Sequence, residues 1–289
     1  MREISLLTNP TAGKGRGART RDLVLPRLRA AGLKVTTIAG RDADEALDLA
    51  RGRVAKGTEA LVVCGGDGLV NLAVQALAST ATPLGVIPAG TGNDVGRYLG
   101  LSKKDPIAAA ERVIIGSTRN IDLARTGGRY YVTVLAAGFA AVVNERANAM
   151  RWPRGQMRYN LATLAELRTF EPLAYTRSLD GVERRLAAML VAVGNGPSFG
   201  GGLRITEGAL LDDGLLDVVI IKPMSKPQLV RTYPKLFKGT HTEHPQYEHH
   251  RVSRVTVAAA GIVAYADGER FAPLPLTIEC VPAALQVIA

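Results

Sequence analysis

Ala60-Leu61-Val62-Val63-Cys64-Gly65-Gly66-Asp67-Gly68 is the stretch that decides the fold. An unbroken apolar run of five residues ends in glycines and one carboxylate. So short a run, bounded by glycine, reads as a strand buried on both faces, as in a parallel sheet. Downstream, Val70–Ala78 has helical spacing and Leu84–Ile87 is a second short apolar strand. Upstream, Ile4–Leu7 is strand-like and stops at the turn signal Asn9-Pro10. Leu23, Leu25, Leu28 and Ala31 fall at roughly helical spacing, Leu33–Ile38 reads as a strand and Asp44–Ala55 as a helix. The alternating order predicts an open parallel sheet covered by helices over residues 1–122.

Past residue 122 the pattern changes. Arg129–Val134, Ala187–Val193, Leu216–Ile221, Arg254–Ala260, Ile262–Ala266 and Leu276–Val281 are strand-like. Only Arg158–Phe170 and Gln228–Lys238 read as helices between them. A mainly β second domain is expected over residues 123–271.

With 36 Lys and Arg against 26 Asp and Glu, the net charge of +10 favours an anionic partner: nucleic acid, an anionic membrane surface or a polyphosphate. Nothing interleaves aromatic and basic residues as base stacking needs, which disfavours nucleic acid. Cys64 and Cys280 are too few for a disulfide framework, so a reducing cytoplasm is expected. The longest apolar run, Tyr130–Val143, is too short to span a bilayer. The opening Met-Arg-Glu-Ile-Ser does not read as a signal peptide.

Ligands of open α/β sheets bind beyond the carboxyl ends of the strands, where Gly65–Gly68 falls. Glycines there expose N–H groups and admit a phosphate, and the following helix start adds a favourable dipole. Asp67 would repel a bare phosphate, so it suits a Mg²⁺ ligand, direct or through water, or a proton acceptor. The simpler reading is a helix cap in a tight turn. Two further turns follow strands in the same way: Pro88-Ala89-Gly90-Thr91-Gly92-Asn93-Asp94 and Asn9-Pro10-Thr11-Ala12-Gly13-Lys14-Gly15. Neither a P-loop nor a Rossmann dinucleotide fingerprint is present.

These three turns, with Gly194-Asn195-Gly196, Phe199-Gly200-Gly201-Gly202, Leu211-Asp212-Asp213-Gly214-Leu215-Leu216-Asp217 and Asp267-Gly268-Glu269 in that order, resemble the diacylglycerol kinase catalytic family. That family includes the soluble bacterial lipid kinases and the sphingosine and ceramide kinases. The resemblance covers essentially the whole chain. It implies an α/β nucleotide-binding domain, a β-sandwich lipid domain, and a return of residues 272–289 to the first domain, with nucleotide in the cleft between the two. By position, Asn9, Pro10, Thr11, Ala12, Gly13, Thr37, Gly65, Gly66, Asp67, Gly68, Leu69, Val70, Asn71 and Thr91 would contact ATP. Asp213 would bind a metal ion with the backbone carbonyls of Leu210 and Leu215. Asp67 and Asp94 would join the catalytic Mg²⁺–water network, and Glu269 or Asp267 would be the base.

The implied activity is ATP- and Mg²⁺-dependent phosphorylation of a lipid hydroxyl, foremost diacylglycerol to phosphatidic acid. The implied setting is a cytoplasmic protein that visits the membrane peripherally, with a homodimer as an option. The alternatives are an NAD kinase-like enzyme, a kinase for another lipid alcohol, and a non-catalytic binding member. The chain departs from the family pattern at Leu69, usually Thr, at Leu72, usually Glu, and at Ala140, usually Asp.

Two stretches carry blander readings. His241–His250 holds all four histidines in no common zinc spacing and reads as a polar loop. Met150–Tyr159 joins the single Trp to three arginines; a solvated loop is the first reading and membrane docking the second.

Overall fold

The structure, a computed structural model, describes residues 2–9, 12–150, 152–153 and 156–289, with backbone alone at 12–14, 156, 160, 164 and 167–169. It divides into two units, Met1–Leu123 with Val281–Ala289, and Ala124–Cys280.

The first unit runs β1 (Glu3–Thr8), α1 (Ala12–Ala30), β2 (Lys34–Ile38), α2 (Ala43–Ala55), β3 (Ala60–Gly65), α3 (Asp67–Leu77), β4 (Leu84–Pro88), α4 (Asp94–Tyr98), α5 (Pro106–Ile115) and most of β5 (Thr118–Thr126). Four parallel strands lie in the order β2-β1-β3-β4. The chain's last strand, β16 (Leu276–Ile288), adds its end beside β4, also parallel, through Val287 and Leu84. Ile4, Leu6, Val62, Cys64 and Ile87 meet Val24, Leu28, Ala109 and Val113 of the flanking helices in one core. Sequence chemistry sets the helix ends: Asp42 accepts the Glu45 N–H at 2.9 Å, and Asp105 caps α5 with Pro106 behind it.

The second unit holds β6 (Arg129–Tyr131), β7 (Val134–Gly138), α6 (Phe139–Ala149), α7 (Gln156–Thr169), β8 (Leu173–Leu179), β9 (Val182–Ala188), β10 (Leu190–Gly194), β11 (Leu216–Ile221), α8 (Lys226–Leu236), β12 (Tyr247–Val252), β13 (Arg254–Ala258), β14 (Val263–Ala266) and β15 (Glu269–Pro273). An antiparallel sheet runs β12-β11-β10-β7-β14-β15. A second layer, also antiparallel, is formed by the first half of β16 with β13, β8 and β9. Leu135, Val191, Val193, Val218 and Ile220 face Tyr175, Val255 and Ile278 of that layer. Their neighbours Val134, Ala192, Val219 and Ile221 pack the opposite face beneath Leu229 and Leu236 of α8. This is a β sandwich with a helical cover.

Burial of both faces explains the continuous apolar runs in sequence, and it also hid some boundaries. The single strand read over Ala187–Val193 is two strands meeting at Met189, and Tyr130–Val143 conceals the start of α6. That helix, a third one in this unit, corrects the expectation of only two. Gly138, at φ +92°, is where strand turns into helix. The polar-loop reading of His241–His250 is corrected as well. His241 is buried and bonds the Ile205 carbonyl at 3.2 Å, while His249 and His250 lie in edge strand β12, where every second side chain turns inward. Residues 272–280 stay in the second unit because β16 is laddered to β13 there, and the returning segment is Val281–Ala289.

Candidate active site

In the first unit, the β3–α3 and β4–α4 turns are built against each other. A Cβ on Gly90 would lie 2.4 Å from the Gly66 Cα, so Gly90 must be glycine, and a Cβ on Gly66 would meet the Gly90 Cα tightly at 3.0 Å. A Cβ on Gly92 would lie 2.4 Å from Asp67 Oδ2. Asn93 adopts the left-handed region, φ +57°, which Asn tolerates well. Its amide grips Gly90 from both sides: Oδ1 accepts the Gly90 N–H at 2.8 Å and Nδ2 donates to the Gly90 carbonyl at 3.0 Å. The turn so formed points its N–H groups at Asp67. Asn93 N–H donates to Oδ2 at 2.6 Å and Asp94 N–H to Oδ1 at 2.7 Å. Asp67 therefore caps the start of α4 across space.

Cations rim the same turn. Arg16 donates to the Gly90 carbonyl at 3.2 Å, Lys103 to that of Thr91 at 3.3 Å and Arg97 to that of Gly92 at 3.0 Å. Arg97 also pairs with the buried Asp94 carboxylate at 2.7 Å. Three consecutive carbonyls are thus turned onto positive side chains. Anchored carbonyls, a charged rim and rigid glycine backbone suit a ligand rich in phosphate oxygens. Arg97 and Lys103 were not singled out in sequence; the three-residue spacing from Asp94 to Arg97 on one helix face was the available signal.

The positions expected to contact nucleotide gather at the carboxyl ends of β1, β3 and β4. Asn9 is exposed after β1 and Thr91 is exposed on the β4 turn, while Thr37 is exposed on β2. Gly65 ends β3 and Gly66 caps α3; Gly68, Leu69, Val70 and Asn71 form the first turn of α3 with Asp67. Ala12 and Gly13 open α1, and Pro10 and Thr11 lie outside the described residues. Leu69 folds back over Gly65, its Cδ2 lying 2.7 Å from where a Gly65 Cβ would be. Cys64 is buried and its thiol pushed up to about 12 by burial, which keeps it out of nucleophilic chemistry.

In the second unit, Asp267 and Glu269 have different surroundings. Asp267 is buried, and its carboxylate accepts the Val132 N–H at 3.0 Å, the Thr133 N–H at 2.8 Å and the Thr133 hydroxyl at 2.6 Å. Asn195 closes on the same two residues, its Nδ2 donating to the Val132 carbonyl and its N–H to that of Thr133. Glu269 is open to solvent. Even so, the surrounding protein, then the Asp267 carboxylate, raise its pKa above the usual range against a weaker pull from Arg129.

Asp213 accepts the Leu215 N–H at 3.0 Å and pairs with Arg251. Leu210 is half exposed. Among the described residues, no three His, Cys, Asp or Glu side chains gather as a ready cation cage. Mg²⁺, however, is ordinarily held by one or two carboxylates completed by phosphate oxygens and water. The all-oxygen pair Asp67 and Asp94 fits that mode. At Asp213 a cation would share the carboxylate with Arg251. A further carboxylate, Asp122, escaped the sequence reading. It is buried in β5 and accepts the Ala283 N–H at 2.7 Å. A lone acid between the apolar Ile121 and Leu123 was its signal.

Comparison with known proteins identifies the family. Residues 3–126 match the diacylglycerol kinase catalytic domain, and residues 133–289 match the YegS C-terminal NAD kinase beta sandwich-like domain. The chain is 46% identical to a diacylglycerol kinase of Mycobacterium tuberculosis, over 99% of this chain and 94% of that one. It is 28% identical to a diacylglycerol kinase of Bacillus subtilis, over 89% of this chain and 86% of that one. A crystal structure of a diacylglycerol kinase from Bacillus anthracis superposes with a TM-score of 0.81 at 24% identity, covering 99% and 96% of the two chains, and carries the same fold. On its two matched domains and its near-complete alignment with the mycobacterial enzyme, this chain belongs to the diacylglycerol kinase family of lipid kinases.

Proposed function

We propose that this protein transfers the γ-phosphoryl group of ATP to a lipid hydroxyl, foremost that of diacylglycerol, giving phosphatidic acid. The observation that carries the proposal is the Asp67 carboxylate locked onto the glycine-rich turn Gly90–Asp94, itself ringed by Arg16, Arg97 and Lys103. Phosphoryl transfer asks mainly for positioning and charge stabilisation. The rigid turns supply the first, and the cationic rim supplies part of the second. The nucleotide phosphates would rest against the turns after β1, β3 and β4. Asp67 and Asp94 would hold Mg²⁺ through oxygen, and the ion would neutralise charge on the phosphates. Asp213, with the carbonyls of Leu210 and Leu215, is the second proposed cation position.

Glu269 is the proposed base. Its raised pKa gives it more driving force to take a hydroxyl proton than an ordinary glutamate has. Asp267, with its oxygens engaged by Val132 and Thr133, holds the backbone before Glu269. The working place of such an enzyme is the cytoplasmic face of a membrane, since the acceptor stays in the bilayer.

The test is transfer of labelled γ-phosphate from ATP to diacylglycerol, monoacylglycerol, ceramide or sphingosine in mixed micelles, with NAD as a competing acceptor. Labelled phosphatidic acid that disappears on chelation by EDTA is the expected product. Labelled NADP, or no product despite nucleotide binding, overturns the reading.

A further inference from the structure

In the second unit, helices α7 and α8 pack against each other, with Tyr233 of α8 hydrogen-bonded to Thr163 of α7. Each turns one face inward. Ala162, Thr163 and Glu166 are buried on α7; Thr232 is buried on α8, whose Leu229 and Leu236 pack the core. Among the described residues, the remaining faces carry partly exposed apolar side chains. Met157 and Leu161, one turn apart, are 60% and 40% exposed, and Trp152, just before α7, is 79% exposed. On α8 Val230 is 48% exposed, and Phe237, seven residues on, is 42% exposed. Isolated exposed apolar residues are ordinary on a soluble protein; here three lie on two touching helices, with Trp152 just before α7 and Phe237 just after α8.

The two stretches of chain that carry these side chains are basic, with Glu166 paired to Arg146 and Glu207 beside Gly239 as acidic neighbours. From Val218 to Thr242 the chain has Lys222, Lys226, Arg231, Lys235 and Lys238 and no Asp or Glu. From Arg146 to Ala165 it has four arginines and again no acid. Arg231, Lys235 and Lys238 are exposed on the stretch that carries Val230 and Phe237. Apolar side chains beside an acid-free cationic stretch are the chemistry of an interfacial helix on an anionic bilayer. We propose that the exposed face of α7 and α8, with Trp152 at its edge, is the surface by which this protein docks on anionic lipid. The proposal rests on the lipid-kinase reading for its purpose, but it uses none of the residues of the glycine-rich turns.

Trp152 is the only tryptophan in the chain, so its fluorescence reports this surface directly. The full chain, without nucleotide, is mixed with vesicles of phosphatidylcholine alone or of phosphatidylcholine with phosphatidylglycerol. The expected result is co-sedimentation with the anionic vesicles, weakening as salt rises, with a blue-shifted Trp152 emission shielded from aqueous iodide. Arg231→Glu with Lys235→Glu, and separately Met157→Ser with Phe237→Ser, are each expected to weaken vesicle binding at least about tenfold. Ile115→Ser, a 73% exposed position in the first unit, is expected to bind as wild type. Unshifted Trp152 emission in vesicle-bound protein, no preference for anionic vesicles, or wild-type binding by either double variant overturns the proposal. Trp152→Ser, fully outside the core, is the second variant should a double variant misfold, and it too must weaken binding. Because no phosphoryl transfer is measured, failure here and failure of the kinase reading are read separately.

Discussion

Gly66 and Gly90 meet backbone to backbone: a Cβ added to Gly90 would stand 2.4 Å from the Gly66 Cα. Gly90→Ala therefore forces two turns apart and is expected to cost about 1–3 kcal/mol of stability. Gly52→Ala is the counter-experiment. Gly52 lies inside α2 with open space around its missing Cβ, so alanine there is expected to stabilise by about 0.5–1 kcal/mol. Thermal unfolding of both variants checks the pair, and equal effects would refute the contact.

Asp67→Asn replaces a carboxylate oxygen that faces an N–H with a group that donates. The Asn93 or Asp94 N–H then loses its acceptor, at a cost of about 1–3 kcal/mol. Transfer to lipid is expected to fall at least about a hundredfold, because the carboxylate charge proposed to hold Mg²⁺ against the phosphates is lost as well. Radiolabel transfer together with chemical denaturation separates the two effects.

Glu269 and Asp267 are expected to fail differently. Glu269→Gln should fold normally and lose turnover, and Asp267→Asn should lose stability by freeing the Val132 and Thr133 donors. A base must be ionised, and the Glu269 pKa lies above the ordinary glutamate value. The acid limb of the rate profile should thus sit above about 4.3, the free-glutamate value. A raised carboxylate pKa also means the folded state disfavours the ionised form. Glu269→Gln should consequently leave stability at neutral pH unchanged or slightly higher. A kcat profile against pH with parallel unfolding curves is the check.

Glu248 anchors a cluster of cations across the sandwich. Burial would raise its pKa, but Lys222 and His250 hydrogen-bond to it, and Lys222 and Arg177 add their charge, so it falls to about 2. A depressed carboxylate pKa adds stability that is complete above the unfolded value of about 4.3 and is lost as pH falls towards 2. Glu248→Gln is expected to lower stability by about 1–3 kcal/mol at pH 7, with the difference from wild type closing below about pH 3. Urea unfolding at several pH values measures it.

The apolar run ending at Cys64 and the glycines after it were enough to place a parallel sheet, because a strand covered on both faces must be apolar throughout. The glycine-rich turns after β3 and β4 were equally legible, since glycine permits the approach seen between Gly66 and Gly90, whereas the stretch read as a third turn, residues 9–15, enters helix α1 at Ala12 and has Pro10 and Thr11 outside the described residues. Partners distant in sequence could not be read from any local pattern. That Asp67 receives the N–H groups of Asn93 and Asp94, that Asp267 is occupied by Thr133 while Glu269 stays open, and that Asp122 holds Ala283 are all products of chain crossing. The α6 start hid in Tyr130–Val143 for a related reason: buried helix and buried strand look alike where every side chain is apolar. Local composition thus determined the elements and the kind of chemistry. Tertiary packing alone decided which carboxylate is engaged in holding the fold and which stays open to solvent, because burial and hydrogen-bond partners are set by residues far apart in the chain.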